Sequence, residues 1–93
     1  MQLLRIYYAY FSPGNTTEKV VSHIASSFQN YPVESINLTD YATRQEDYYF
    51  KENELLIIGV PAYGGRVPAP VVDALRHFTG SNTPVVLVAT YGN

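Results

Sequence analysis

Two short runs of almost uninterrupted apolar residues constrain the fold of this chain more than any other feature. Residues 54–60 read ELLIIGV and residues 83–90 read TPVVLVAT, and each run has the length of a typical strand. A strand that is apolar on both faces needs cover on both sides, which is typical of a parallel sheet packed between helices. Residues 70–78 lie between the runs and have apolar side chains at helical spacing. The sequence therefore predicts a strand–helix–strand unit.

The N-terminal half of the chain continues the same alternation. Residues 3–11 are apolar and aromatic without a breaker, which indicates a strand, and residues 16–28 carry an apolar stripe at helical spacing. Residues 33–38, VESINL, alternate as a half-buried or edge strand does, and residues 39–53 have weak helical character. The prediction is one α/β domain over all 93 residues, with a three-layer, doubly wound parallel sheet.

Composition excludes several classes of function. A net charge of −2 provides no basic surface for nucleic acid. The absence of cysteine excludes disulfides, zinc–thiolate sites, iron–sulfur ligation and thiol catalysis by this chain. No signal peptide and no run as long as a membrane span is recognised, so a cytoplasmic protein without a membrane partner is expected.

Three segments are expected to meet at one edge of the sheet. Right-handed crossovers bring the loops that follow parallel strands to the same edge, where ligands bind in sheets of this kind. The segments are residues 12–17, 61–67 and 90–93, and all are rich in Gly, Thr, Tyr and Asn. The sequence therefore predicts a ligand site made by these loops.

The first loop, SPGNTT, has the residues of a phosphate site without a cation. Hydroxyls of Ser12, Thr16 and Thr17 would surround an anion at the helix N-terminus, and Gly14 would allow close approach of the backbone. The alternative is that Thr16 or Thr17 only caps the helix. The loop lacks the Gly-Lys-Ser/Thr of a nucleotide P-loop and the three glycines of a dinucleotide fingerprint.

Each of the other two loops offers an aromatic ring. Tyr63 precedes two glycines, and Tyr91 precedes Gly92. Rings at neighbouring strand ends would stack on a flat ligand, with roughly 0.5–1.5 kcal/mol gained beyond burial. The alternative is that both are ordinary, partly buried loop tyrosines. Together with the first loop, they favour a planar ring system that carries a phosphate.

These residues resemble the flavodoxin family, which binds FMN. Ser12 and Thr17 match the ends of the family's Ser/Thr-x-Thr-Gly-x-Thr phosphate loop, while Gly14 replaces its threonine and Asn15 its glycine. Asparagine tolerates the left-handed backbone that such a glycine adopts. The segments GVPAYGGRVPAP and VATYGN are most similar to the N-terminal flavodoxin domain of iron–sulfur flavoproteins.

The resemblance implies a strand order of 2-1-3-4 and an FMN-dependent electron-transfer function. It implies that Tyr63 and Tyr91 flank the isoalloxazine ring, and that a site without a nearby cation disfavours the anionic reduced flavin. The expected partner is a redox protein or a C-terminal ferredoxin-type domain, with iron–sulfur clusters only in a longer parent chain. The residues expected to bind FMN are Ser12, Pro13, Gly14, Asn15, Thr16, Thr17, Pro61, Ala62, Tyr63, Gly64, Gly65, Thr90, Tyr91, Gly92 and Asn93.

The fourth predicted strand is expected to be a sheet edge. Flavodoxin-like sheets have five strands, and this sequence predicts four, so the fifth strand and last helix are expected to be absent from it. Residues 85–89, VVLVA, lack the charges and prolines that protect natural edges, which predicts pairing with another chain, such as a homodimer. The alternative function is a flavodoxin-shaped interaction module, without enzymatic activity, that does not retain FMN.

Overall fold

The computed structural model describes residues 3–91. The order of its elements is β1 (Arg5–Tyr10), α1 (Thr16–Ser26), β2 (Val33–Asn37), α2 (Tyr41–Arg44), β3 (Tyr48–Tyr49), β4 (Glu54–Ala62), α3 (Ala69–Leu75), β5 (Phe78–Thr79) and β6 (Val85–Tyr91).

Four strands form the main sheet in the order β2-β1-β4-β6, and all of its neighbouring pairs are parallel. Ile6 is the Cα partner of Val33 on β2 and of Leu55 on β4. The predicted α/β class with a parallel sheet is thereby confirmed. The strands β2 and β6 form the two edges of this sheet, and β4 lies inside it.

Alternate residues of β1 and β4 supply two separate cores. On one face, Ile6 and Ile57 are fully buried against Val21 and Ala25 of α1. A second cluster on the opposite face contains Ala9, Ile58 and Val60 of the sheet, together with Val71 and Ala74 of α3. Helices therefore cover both faces, which explains why β4 tolerates so continuous an apolar run.

The strand β4 is longer than the apolar run predicted. Pro61 and Ala62 were expected in the following loop, but they are buried and continue the strand. The pairing between β1 and β4 ends at Gly59, whose carbonyl accepts from the Phe11 N–H at 3.2 Å. Proline has no N–H to donate, so it is tolerated at position 61, which follows the last of these pairs. Beyond that point the strand has no β1 neighbour that needs a donor.

The strand β6 also extends further than predicted. The predicted run ended at Thr90, and Tyr91 was expected in the loop that follows it, but Thr90 and Tyr91 are paired with Pro61 and Ala62 of β4. The last two pairs of the β4–β6 ladder therefore lie within the second and third predicted segments, and the backbone of Thr90 and Tyr91 has strand conformation.

A two-stranded parallel sheet of β3 and β5 was not predicted from the sequence. Phe78 was expected to be the last apolar residue of the third helix, but α3 ends at Leu75 and Phe78 belongs to β5. Its ring lies with its centroid 5.3 Å from those of Tyr48 and Phe50. Long-range aromatic packing therefore overrides the local helical spacing.

The strands β4 and β6 differ in how far their residues are buried, although their sequences are similarly apolar. All residues of β4 except Leu55 are buried, whereas Val85, Val86 and Leu87 of β6 are exposed. No strand among residues 3–91 pairs with the outer side of β6, and no helix in this range is long and apolar enough to span a membrane.

Candidate functional site

The first loop turns sharply into α1 at Asn15. This residue is the N-cap, with φ 67° and ψ −2°, so it has the left-handed backbone expected of it. Its N–H donates to the Ser12 carbonyl at 3.1 Å, which closes the turn. The Asn15 side chain makes no capping hydrogen bond. The turn therefore depends on backbone geometry.

Ser12 performs the capping that was considered for Thr16 or Thr17. Its Oγ accepts from the backbone N–H of Glu18 at 3.0 Å, and its own N–H donates to the Thr39 hydroxyl at 2.8 Å. Sequence reasoning missed the role of Thr39, because that residue is 27 positions away and follows β2. The Ser12 hydroxyl proton remains available for an acceptor in the cavity.

Two backbone N–H groups at the start of α1 have no hydrogen-bond acceptor among residues 3–91. They belong to Thr16 and Thr17, the first two residues of the helix. Unpaired N–H groups and the positive end of the helix dipole together favour an anion at this position. Glu18 is the acidic residue of this first turn, and its N–H is already bonded to Ser12.

Thr17 connects the first loop to the end of β6. Its side chain is buried, and its Oγ1 lies 2.7 Å from Oγ1 of Thr90. Thr90 Oγ1 is also 3.5 Å from the carbonyl oxygen of Val60. The single proton of the Thr90 hydroxyl goes either to Thr17 or to the Val60 carbonyl, and only in the first arrangement does the Thr17 hydroxyl keep its proton for a ligand. Thr17 thus serves first as a link between two of the predicted loops.

The second loop is a tight hairpin that begins at Tyr63. Tyr63 and Arg66 exchange two backbone hydrogen bonds, of 2.9 and 3.0 Å. Gly64 and Gly65 between them have φ values of 59° and 78°, a pair of positive angles that is typical of a type I′ turn. Glycine is required at these positions because other residues adopt this conformation at a cost. The hairpin holds Tyr63 at the end of β4.

A small cavity lies where the three segments meet, and its volume is about 110 Å³. It is lined by Ser12, Pro13, Gly14, Thr16, Thr17, Pro61, Tyr63, Thr90 and Tyr91. All of these residues belong to the predicted binding set. None of these described lining residues is an acid or a base. The cavity is smaller than the roughly 300–1,000 Å³ of pockets that enclose a drug-sized ligand. Its size suits a phosphate group better than a whole nucleotide.

The remaining predicted residues lie around the cavity or outside the description. Asn15, Ala62, Gly64 and Gly65 set the backbone of the first two segments without lining the cavity. The predicted contacts of residues 92–93 fall outside the described residues.

The tyrosine rings are more open than the hydroxyls. Tyr63 is 53% exposed and Tyr91 is 80% exposed, whereas Ser12 and Thr17 are buried. An anion would therefore enter a nearly buried polar floor, while a planar group would lie over an exposed rim. The two parts have different chemistry and are adjacent in one cavity.

The Tyr10 hydroxyl, at the end of β1, interacts with the Glu18 carboxylate in the first turn of α1. Burial raises the pKa of the Tyr10 hydroxyl, and the neighbouring Glu18 carboxylate raises it further. Tyr10 therefore remains neutral near pH 7 and does not add a negative charge close to the anion site. Among residues 3–91, no group of three or more His, Cys, Asp or Glu side chains is arranged to hold a metal ion.

No family model matches the chain, and no solved structure matches it. Among curated proteins, ribonuclease Z of Staphylococcus aureus strain MSSA476 is 42% identical over 48 residues, which cover 52% of this chain and 16% of that protein. Ribonuclease Z of strain N315 is 40% identical over the same shares. The chain thus spans about one sixth of the length of the curated relatives it matches.

Proposed function

We propose that this chain is a flavodoxin-like electron-transfer domain that binds FMN. The observation that carries the proposal is the meeting of three strand-end segments, which bring an uncharged polar floor and two tyrosine rings to one cavity. The strand order β2-β1-β4-β6, with every pair parallel, supports the flavodoxin-like assignment. Ligands of such sheets bind at the carboxyl ends of the strands, which is where this cavity lies.

The phosphate of FMN would bind at the start of α1. The free N–H groups of Thr16 and Thr17 would donate to its oxygens, and the Ser12 hydroxyl adds a third donor. Hydrogen bonds to a charged group contribute about 1.5–3 kcal/mol each, so a few of them hold a phosphate without lysine or arginine. The residues present therefore fit the phosphate.

The isoalloxazine ring would lie against Tyr63 and Tyr91. Their exposure leaves ring faces free for stacking, and the Gly64 and Gly65 backbone of the hairpin would face the polar edge of the flavin. The turn contains two glycines, so the peptide between them can reorient at little steric cost when the flavin is reduced.

When bound, FMN would supply the redox chemistry, and the protein would set its orientation and electrostatics. The lining residues described include no cation to stabilise a negatively charged reduced ring, which favours a low reduction potential. A redox protein or a ferredoxin-type domain would be the partner. The likeness to part of ribonuclease Z does not favour a role in RNA binding, because the net charge of this chain is −2.

The experiment is a titration of the purified chain with FMN and, separately, with riboflavin, followed by quenching of flavin fluorescence. Riboflavin has the same ring system without the phosphate, so the difference between the two flavins reports on the floor of the cavity alone. We expect FMN to bind at least about tenfold more tightly than riboflavin, since loss of one charged hydrogen bond already costs about 1.5 kcal/mol. Equal affinities, or no binding of FMN, would contradict the proposal and favour the interaction module.

Substitution of an exposed tyrosine tests the proposed contact between Tyr91 and the isoalloxazine ring. Tyr91→Ala is expected to weaken FMN binding by about twofold to tenfold, because stacking contributes about 0.5–1.5 kcal/mol beyond burial. The matched control is Tyr49→Ala in β3, where the tyrosine is 74% exposed and does not line the cavity. If both variants lose affinity equally, Tyr91 does not contact the ring.

A further inference from the structure

The backbone of Ser12 is held by a residue from outside the three predicted segments. Its N–H donates to the Thr39 hydroxyl at 2.8 Å, and this contact joins the first loop to the turn after β2. Ser12 is 5% exposed, and a buried N–H without an acceptor is costly, so this bond matters for the loop. Thr39 does not line the cavity. It can therefore act on a ligand only through residues that it holds.

Ser12 is also fixed at its side chain. Its Oγ accepts from the Glu18 N–H at 3.0 Å, which leaves the hydroxyl proton free to donate. With the N atom bonded to Thr39 and the Oγ atom bonded to Glu18, the side chain has little freedom to turn away from the cavity that it lines. A side chain that is already held in place loses less conformational entropy on binding a ligand than a free one does.

The backbone of Thr39 is itself held by several neighbours. Its N–H donates to Asn37 Oδ1 at 3.0 Å, as in an Asx turn, and its carbonyl accepts from Nη1 of Arg44 at 3.1 Å. The preceding residue, Leu38, is fully buried, and its N–H donates to the Tyr10 carbonyl at 2.8 Å. The Thr39 hydroxyl therefore lies at a fixed place next to the first loop.

Arg44 contacts both of the segments that Thr39 joins. The Nη1 atom that bonds Thr39 also donates to the Leu38 carbonyl at 3.1 Å, and the guanidinium carbon lies 5.8 Å from the centroid of the Phe11 ring. Phe11 directly precedes Ser12 in the chain. A cation–π contact and two hydrogen bonds therefore hold the turn after β2 against the start of the first loop.

We propose that Thr39 is a positioning residue that sets the preference of the cavity for a ligand that carries a phosphate. The inference rests on the proposed function, since the phosphate is the group that the Ser12 hydroxyl would bond. Without the Thr39 hydroxyl, the Ser12 N–H loses its acceptor, and the loop shifts until water or another group pairs with it. This shift moves the Ser12 hydroxyl away from the phosphate position but leaves the rings of Tyr63 and Tyr91 in place.

The test is a fluorescence titration of Thr39→Val with FMN and, separately, with riboflavin. Valine has nearly the shape of threonine but no hydroxyl, so the variant removes the acceptor of the Ser12 N–H. We expect the affinity for FMN to fall about tenfold, the equivalent of one hydrogen bond to a charged group, while the affinity for riboflavin changes by less than about twofold. Thr39→Ser retains the hydroxyl and should restore the preference for FMN.

The matched control is Thr83→Val. The Thr83 hydroxyl also accepts from a backbone N–H, that of Ser81 at 3.2 Å, but Thr83 precedes β6 and does not line the cavity. This variant removes the same kind of bond and should leave the ratio of the two flavin affinities unchanged. Thr39→Ala, which also lacks the hydroxyl, replaces Thr39→Val if circular dichroism shows that the valine variant is not folded.

The possible outcomes separate the role of Thr39 from the proposed function. An unchanged or stronger preference for FMN in folded Thr39→Val would overturn the positioning role and leave the proposed function intact. Equal losses of affinity for the two flavins would indicate a merely structural effect of Thr39 and would also overturn the role. A wild type that binds FMN no more tightly than riboflavin would overturn the proposed function and the role of Thr39 with it.

Discussion

Asn15 carries the left-handed backbone conformation at the turn into α1, although glycine is the usual residue for it. Its φ of 67° lies in the left-handed region, where an ordinary side chain costs roughly 1–2 kcal/mol. We expect Asn15→Ala to lower the free energy of unfolding by about 1 kcal/mol, measured by urea denaturation. Asn15→Gly should preserve it within about 0.5 kcal/mol. If the alanine variant were as stable as the glycine variant, strain at this residue would not be important.

Asp40 makes the start of α2 sensitive to acid. Its Oδ2 accepts from the Thr43 hydroxyl at 2.8 Å and from the Thr43 N–H at 3.0 Å. These bonds, with the nearby Arg44, hold the pKa of Asp40 below its ordinary value of 3.8. A lowered pKa means that the stabilisation is present above about pH 4 and is lost as the pH falls through the folded-state value.

The measurement that isolates this effect is thermal unfolding of the wild type and of Asp40→Asn between pH 3 and pH 6. Asparagine keeps a capping oxygen but cannot ionise. The wild type is expected to have the higher Tm at pH 6, and the difference should shrink as the solution is acidified below pH 4. A difference that grows in acid would contradict a lowered pKa of Asp40 in the folded state.

At the scale of elements, Gly59 sets the distance between α1 and β4. A Cβ atom at this position would overlap Val21 Cγ1 and would lie 2.9 Å from Thr17 Cγ2. Gly59→Ala therefore requires these two buried side chains, or the helix that carries them, to move, at a cost of about 1–3 kcal/mol. We expect that loss in urea denaturation, together with weaker FMN binding, because the same shift disturbs the Thr17–Thr90 contact.

Gly80→Ala is the control for this substitution. The nearest atoms to a Cβ at Gly80 belong to Thr83, at an ordinary 3.5 Å. Its effect on the free energy of unfolding should remain within about 0.5 kcal/mol. Similar losses in the two variants would indicate a general effect of replacing glycine, without a specific contact between α1 and β4.

The sequence was sufficient for the elements whose pattern is local. The apolar stripe of α1 and the continuous apolar run of β4 predicted a helix and a covered strand, and both are present. The β3–β5 pair was not predicted, because it depends on contacts of Phe78 with Tyr48 and Phe50 across about 30 residues. Local periodicity contains no information on such contacts.

The same distinction applies to the site. The residues that line the cavity were all predicted, since loops after parallel strands converge at one edge. Their hydrogen bonds were not predicted: Ser12 was treated as an open ligand, but it caps α1 and contacts Thr39. The tertiary structure determines which neighbour a side-chain hydroxyl bonds, and the spacing of residues in the sequence does not specify it.

At the scale of the whole molecule, binding of FMN should raise the free energy of unfolding and therefore the Tm of the domain. A ligand that binds only the folded state adds about 2.7 kcal/mol at a concentration one hundred times its Kd. For a domain of this size, 1 kcal/mol corresponds to about 4–8 °C in Tm, so FMN is expected to raise the Tm by about 10–20 °C. Riboflavin at the same concentration should give a smaller rise, because it leaves the N–H groups of Thr16 and Thr17 unpaired. An equal rise in Tm with both flavins would exclude phosphate binding at the start of α1.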